Sequence, residues 1–236
     1  METRADSFEI STDDGHRISG TLWPGAGLPK SVIQIFHGLG EHRARYRRFA
    51  ALANASGFAV VCHDHRGHGR HADLPGYFAD KDGWQRLVSD GLLVTQRMKN
   101  QIGDLPIVLL GHSMGSYIAQ SYAMRHSGHI AALVLSASTW PQKRKLIPGR
   151  LLAKFEGFRL GKQGGSAFLD KLGFGDFNKP YEPARTELDW LSRDPSEVDK
   201  YIEDPLCGGP YTCGLWSDLM GGLLEIGSDA ALERIP

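Results

Sequence analysis

Cysteine, charge imbalance and long apolar runs are what this sequence has least of. Its three cysteines, Cys62, Cys207 and Cys213, show no metal-type spacing, and their odd number argues against a disulfide framework. Cys62 sits in the apolar run FAVVC and reads as a small buried residue. The 27 basic and 27 acidic residues cancel, so there is no field of the kind that recruits nucleic acid or coats an anionic membrane. No stretch approaches the roughly 20 apolar residues of a membrane span, and the opening METRADSFEI has no signal-peptide core. The expectation is a soluble, cytoplasmic protein without an integral membrane segment. Repeats and low-complexity tracts are absent too. What remains is a chain of 236 residues, 41% hydrophobic and 23% charged, long enough for one large α/β domain or two small ones.

Extended and helical signals alternate through the first 138 residues. Ser7 to Ser11 and Arg17 to Trp23 flank the turn-forming pair Asp14-Gly15 and predict a hairpin. The short apolar runs Ser31 to Phe36 and Phe58 to Cys62 predict strands buried on both faces, and Pro106 to Leu110 and Ile130 to Ser136 predict two more strands. Between them, Arg43 to Ser56, Asp82 to Asn100 and Met114 to His126 carry apolar residues at helical spacing. This order predicts a mainly parallel sheet with helices on both faces. From about Thr139 the texture turns to Pro, Gly, Lys and scattered aromatics, with amphipathic stretches at Leu151 to Phe158 and Ser217 to Ile226 and no convincing strand. The expected organisation is a core over residues 1–138, a helical cap insertion over 139–228, and the start of a return to the core over 229–236.

Three clusters carry chemistry. The strand PIVLL runs into Gly111-His112-Ser113-Met114-Gly115, followed at once by a helix. This is the strand, turn, helix setting in which G-x-S-x-G makes a nucleophile elbow. With 29 glycines in the chain the pattern alone says little, and the setting decides. Ser113 is the candidate nucleophile, and Gly111 and Gly115 are required small because neighbouring backbone crowds them. The second cluster, His37-Gly38-Leu39-Gly40-Glu41-His42, follows an earlier strand. Acyl transfer creates an oxyanion that preorganised backbone N–H groups stabilise, and the expected donors are Met114, after the nucleophile, and Leu39. His37, Gly38 and His112 support this geometry from the turns they occupy. The third cluster, His63 to His71, holds four histidines at loop-like spacing without a companion cysteine or carboxylate group. It is read as a structural turn, with Asp64 and Arg66 hydrogen-bonding the loop, rather than as a metal site.

The runs HGLGEHRARY from His37, DHRGHG from Asp64 and GHSMG from Gly111 resemble the signatures of the monoglyceride lipase and lysophospholipase branch of the α/β-hydrolase superfamily. The segment Arg185 to Gly208 resembles the helical cap of bacterial members. The resemblance implies an α/β-hydrolase fold and hydrolysis of acyl esters such as monoacylglycerols or lysophospholipids. It further implies no cofactor, no metal, a small-molecule ester as partner, and Ser113 attacking the acyl carbonyl. It also makes Leu151, Phe155, Phe158, Phe168, Leu172, Phe174 and Phe177 candidates for an acyl-binding wall, or equally for the core of the cap.

One part of the machinery is missing from the sequence. In this fold the chain order is Ser, then Asp or Glu, then His. After Ser113 come only His126 and His129, and His126 lies about 20 Å down the following helix at ~1.5 Å per residue. The expectation is therefore that the triad acid and base lie beyond residue 236, together with the last strands of the sheet. Two function classes stay open: a serine ester hydrolase in its complete form, and a non-catalytic protein using the same pocket to capture a small apolar ligand.

Overall fold

The computed structural model describes residues 4–234. They form one mixed sheet of six strands: β1 (Asp6–Ser11), β2 (Arg17–Trp23), β3 (Ser31–Phe36), β4 (Phe58–His63), β5 (Ile107–His112) and β6 (Ala132–Ser136). The spatial order is β1-β2-β4-β3-β5-β6. β1 and β2 form the expected antiparallel hairpin, β2 joins β4 antiparallel, and β4, β3, β5 and β6 run parallel. Crossovers through α1 (Arg47–Ala55), α2 (Gly83–Ile102) and α3 (Met114–His126) account for the parallel half, because a strand returning in the same direction must cross the sheet.

The apolar runs are strands because they are covered on both faces. Val32, Ile35, Phe36, Val60, Val61 and Leu109 are almost fully buried. One face meets α1 through Ala50 and Ala53, and the other meets α2 and α3. β6 differs. It pairs with β5 alone among the described residues, and Val134 and Leu135 are 43% and 41% exposed.

Beyond β6 the described residues hold no further strand, only an isolated bridge between Gly165 and Thr212. Instead come α4 (Lys143–Leu160), α5 (Ala167–Phe174), α6 (Pro195–Glu203), α7 (Cys213–Ile226) and the single turn α8 (Asp229–Leu232). Of residues 229–236, expected to begin a return to the core, Asp229–Leu232 form α8, and the last two lie outside the described residues. α7 does not stand apart from the sheet layer: Leu215, Trp216, Leu219 and Met220 share one core with Trp84, Leu87, Met114, Ile118 and Tyr122. Its approach to α2 is close enough that a Cβ on Gly222 would lie 2.0 Å from the Trp84 ring. The ends of the other elements moved by one to a few residues: β5 extends to His112, and the first helix opens as a 3-10 turn over Arg43–Tyr46 before α1 begins.

Candidate active site

Ser113 stands between the end of β5 and the start of α3, at φ 50°, ψ −119°. A non-glycine residue in the positive-φ region costs about 1–3 kcal/mol and persists only where surroundings enforce it. Here backbone does so. The Ser113 N–H donates to Ser136 O at 2.9 Å, and Ser116 Oγ donates to Ser113 O at 2.6 Å. A Cβ on Gly115 would fall 2.0 Å from Phe36 O, and one on Gly111 would fall 2.4 Å from Gly115 O, so both positions accept only glycine. His112 is fixed by a 3.1 Å hydrogen bond between its Nδ1 and Ser136 Oγ. The Ser113 side chain is half-buried, and its hydroxyl has no hydrogen-bond partner among the described residues.

The loop after β3 lies against this elbow: a Cβ on Gly38 would stand 3.4 Å from Ser113 Cβ. Its conformation is pegged at every residue. His37 Nε2 accepts the His65 N–H at 3.0 Å, so its proton sits on Nδ1, which donates to Gly38 O at 2.8 Å. Because the Gly38 carbonyl and the Leu39 N–H belong to one trans peptide, a carbonyl turned to His37 leaves that N–H facing the opposite way. Gly38 N–H donates to Glu41 Oε1 at 2.5 Å, and the Tyr46 hydroxyl reaches the same oxygen at 2.8 Å. Gly40 O accepts from the Tyr201 hydroxyl at 2.7 Å and from Gly208 N–H at 2.8 Å. Among the described residues neither Leu39 N–H nor Met114 N–H has an acceptor.

Glu41, Tyr201 and Gly208 are the pegs that sequence reasoning missed. Glu41 lay inside the motif, and its carboxylate facing a backbone N–H three residues earlier is a short-range signal that was available. Tyr201 and Gly208 are some 160 residues from the loop they hold, and nothing local marks them.

The histidine cluster is a packed wall beneath the loop. His63, His65 and His68 are buried with His37; the His37 and His65 ring centroids are 4.3 Å apart, and those of His63 and His65 4.9 Å apart. Burial holds all four below their ordinary range, His63 at about 3. His71 is exposed and stands apart. Asp64 accepts Arg43 N–H at 2.8 Å and pairs with the Arg43 guanidinium, which ties the 64–69 loop to the start of the first helix. Arg66, expected from the sequence to hydrogen-bond its own loop, instead sends its side chain out of that loop. It is 3% exposed and forks between Asp90 of α2 (2.7 and 3.1 Å) and Asp14 of the hairpin (2.5 and 3.0 Å). A buried guanidinium satisfies its donors best with carboxylates, and the carboxylate of its own loop, Asp64, is already taken by Arg43.

These elements match a known pattern. The model of the family described as Serine aminopeptidase, S33 matches residues 27–236, nearly nine-tenths of the sequence. The chain belongs to that family. Within the α/β-hydrolase superfamily it lies on the monoglyceride lipase branch. It is 30% identical to human monoglyceride lipase over 203 residues, covering 82% of this chain and 57% of that protein. It is 31% identical to a monoacylglycerol lipase of Mycolicibacterium smegmatis over 209 residues, covering 88% of this chain and 67% of that one. The structure of a thermostable carboxyl esterase from Bacillus coagulans superposes with a TM-score of 0.88 at 26% identity, over 98% of this chain and 76% of that one. The chain spans 57–65% of the length of the mammalian monoglyceride lipases it matches.

In this S33-family chain the seven apolar residues read as a possible acyl wall do not converge on a cavity. Leu151, Phe155, Phe158, Phe168, Leu172 and Phe177 are all exposed, Phe158 at 91%. Of the seven, Phe158 alone borders the cleft of about 470 Å³ between α4 and α7, whose other walls include Arg150, Lys154, Lys162 and Asp218. Phe174 turns inward, packed among Trp190, Tyr211 and Trp216. The cause is on α4, whose buried stripe is Gly149, Ala153 and Glu156. Small residues there allow close approach to α7, with a Cβ on Gly149 falling 3.0 Å from Met220 Sδ, and the large side chains take the opposite side.

Neither histidine downstream of Ser113 is near it. His126 ends the 13-residue α3 that Ser113 begins, and His129 follows in a 3-10 turn.

Proposed function

We propose that these residues carry the nucleophile half of a carboxylic ester hydrolase that works through an acyl-serine intermediate on small acyl esters of the monoacylglycerol or lysophospholipid type. The observation that carries the reading is Ser113, held at φ 50° between β5 and α3 with its hydroxyl unpartnered and half-exposed. Such strain is retained where a side chain must project for chemistry. In this reading Ser113 Oγ attacks the acyl carbonyl, and the oxyanion is received by the Leu39 and Met114 N–H groups, which are left free by the pegging of their loop. The alcohol leaves and water then releases the acid. Residues 1–138 are the hydrolase core and 139–228 the cap, with α7 as the joint between them. This reading assigns none of His37, His63, His65 and His68 as the general base, since they are committed to the wall, nor His126, a full helix away. The chemistry asks for no cofactor.

Support comes from the likeness to proteins named as monoglyceride lipases and from the family match. The test is a fluorophosphonate probe on the natural gene product and on the 236-residue chain, read by intact mass and peptide mapping, alongside hydrolysis of glycerol monoesters of varied acyl length. One adduct on Ser113 in the natural product, with adduct and hydrolysis both lost in Ser113→Ala, is the expected result, and the 236-residue chain labels far more slowly. An adduct elsewhere, or hydrolysis surviving Ser113→Ala, overturns the reading.

A further inference from the structure

A second cluster of ligating side chains lies on the far side of the Leu39 loop, where the loop meets the segment after α6. We propose that His42, Asp204 and Cys207 form a binding site for one zinc-like divalent cation, which fastens the Leu39 loop to the 204–208 turn. One imidazole nitrogen, one carboxylate oxygen and one sulfur lie within 4.8 Å of one another, the only such group among the described residues. Thiolate, imidazole and carboxylate make up the mixed donor set that zinc and cobalt accept in tetrahedral sites, water taking the fourth position.

The site is built before any ion arrives. Asp204-Pro-Leu-Cys207 has the two-residue gap of zinc knuckles, and it is closed into a turn by the Cys207 N–H, which donates to Asp204 O at 3.0 Å. The Leu206 N–H donates to Asp204 Oδ1 at 3.0 Å and leaves Oδ2 aimed at His42. Such outer contacts orient ligands in metal sites. His42 is 8% exposed and its Nε2 already lies 2.8 Å from Asp204 Oδ2, so it is held on the cluster without a metal. The Gly208 N–H bond to Gly40 O fixes the distance between the two segments.

Arg45 is the opposing group, with Nη1 3.9 Å from Cys207 Sγ. Its charge is answered by Glu41, 3.3 Å from Nε, and by the Tyr201 ring, 5.0 Å below the guanidinium. On binding, the Cys207 S–H gives its proton to solvent and the thiolate bonds the metal, while His42 binds as the neutral imidazole, its one N–H proton on Nδ1 and its Nε2 lone pair on the metal. Thiolate and carboxylate then bring two negative charges to the dication, so the cluster closes neutral.

The experiment is anaerobic titration of the reduced, metal-free 236-residue chain with Co2+, followed by Zn2+. One equivalent of Co2+ should raise a thiolate-to-cobalt charge-transfer band in the near ultraviolet, displaced by one equivalent of Zn2+. Cys207→Ser should abolish the band, and Asp204→Asn should lower Co2+ affinity at least tenfold. Absence of the band in the unaltered chain, its survival in Cys207→Ser, or unchanged affinity in Asp204→Asn overturns the proposal. Should Cys207→Ser fail to fold by circular dichroism, the unaltered chain and Asp204→Asn decide alone. No step reads hydrolysis, so the cation site and the Ser113 chemistry stand or fall separately.

Discussion

Around Ser113 the molecule is held by backbone meeting backbone, whereas along α4 it is held by small side chains on one helix face, with the large apolar ones turned outward. The first region leaves no freedom: Gly111 and Gly115 touch main-chain atoms, Gly38 touches the elbow, and buried histidines fill the space beneath. The second leaves a great deal, since Phe155 and Phe158 contribute almost nothing to the core they flank. Conformational precision is concentrated at the proposed nucleophile, as the placement of a reacting atom to within a fraction of an ångström requires. Apolar area on the helical side is free to serve other ends.

The sharpest way to break this contrast is Gly115→Val. Its first carbon alone would fall 2.0 Å from Phe36 O and 2.6 Å from His37 O, and neither carbonyl can move without dismantling β3. Overpacking of side chains typically costs about 1–3 kcal/mol. An obstacle made of strand backbone should exceed that and remove the cooperative unfolding transition in urea altogether.

Acid is the next largest lever, and it acts with opposite sign on the two regions. His63 is held at about 3 against its ordinary 6.5, so the unfolded chain binds the proton more readily. Its stabilising contribution is complete above pH 6.5 and falls as pH drops from there through about 3. Between pH 6.5 and 5 that amounts to about 2 kcal/mol for one such histidine. His37, His65 and His68 are shifted in the same direction. On the helical side burial pushes the Asp218 carboxyl up to about 6, so the folded state takes up its proton first and gains about 1.4 kcal/mol over roughly the same interval. Burial also raises Asp64, Asp90 and Asp170, but carboxyls start from 3.8, below the interval, and the four histidines from 6.5, inside it, so the urea midpoint should fall from pH 7 to pH 5. A flat midpoint would show that the histidine wall does not stay neutral in the fold.

Arg66→Met comes third. It strands Asp90, 4% exposed at the side chain, without the guanidinium that balances it, and cuts one tie between the hairpin and α2, leaving Arg86 with Asp13 and Asp14. Removing one partner of a buried pair costs about 3–5 kcal/mol. Equilibrium urea denaturation at pH 7 measures it, and a loss under 1 kcal/mol would mean that the hairpin is held by β1–β2–β4 pairing and the exposed Arg86 pairs without help from Arg66.

The two regions also differ in how far they could be read in the sequence. The elbow was legible because its demands are local: a strand, a glycine two residues on either side of a serine, and a helix all fall within twenty positions. The hairpin and parallel strands were legible for the same reason, since continuous apolar runs report burial on both faces. Arg66 was placed in the right loop with the wrong partners, because Asp14 and Asp90 reach it only through tertiary packing. The Tyr201 and Gly208 contacts to Gly40 could not be read at all, being set by how the segment after α6 folds back over the sheet. The outward turn of Phe155 and Phe158 was hidden for a different reason. Apolar periodicity says that a helix has an apolar face but not which face finds a partner, and on α4 the small-residue stripe at Gly149 and Ala153 won.

That last point carries the smallest expected effect and the most informative one for the helical side. Phe158 is 91% exposed, so replacing it with serine removes little buried area, and the stability change should stay within about 0.5 kcal/mol of zero. The same substitution at Phe174, packed among Trp190, Tyr211 and Trp216, should cost about 3–5 kcal/mol, in the range of large-to-small core changes. Urea midpoints of the two variants, measured side by side at pH 7, separate the outward face of α4 from the inward end of α5. Equal losses at both positions would mean that the large side chains of α4 are covered in solution, and that the apolar face joins the core instead of facing away from it.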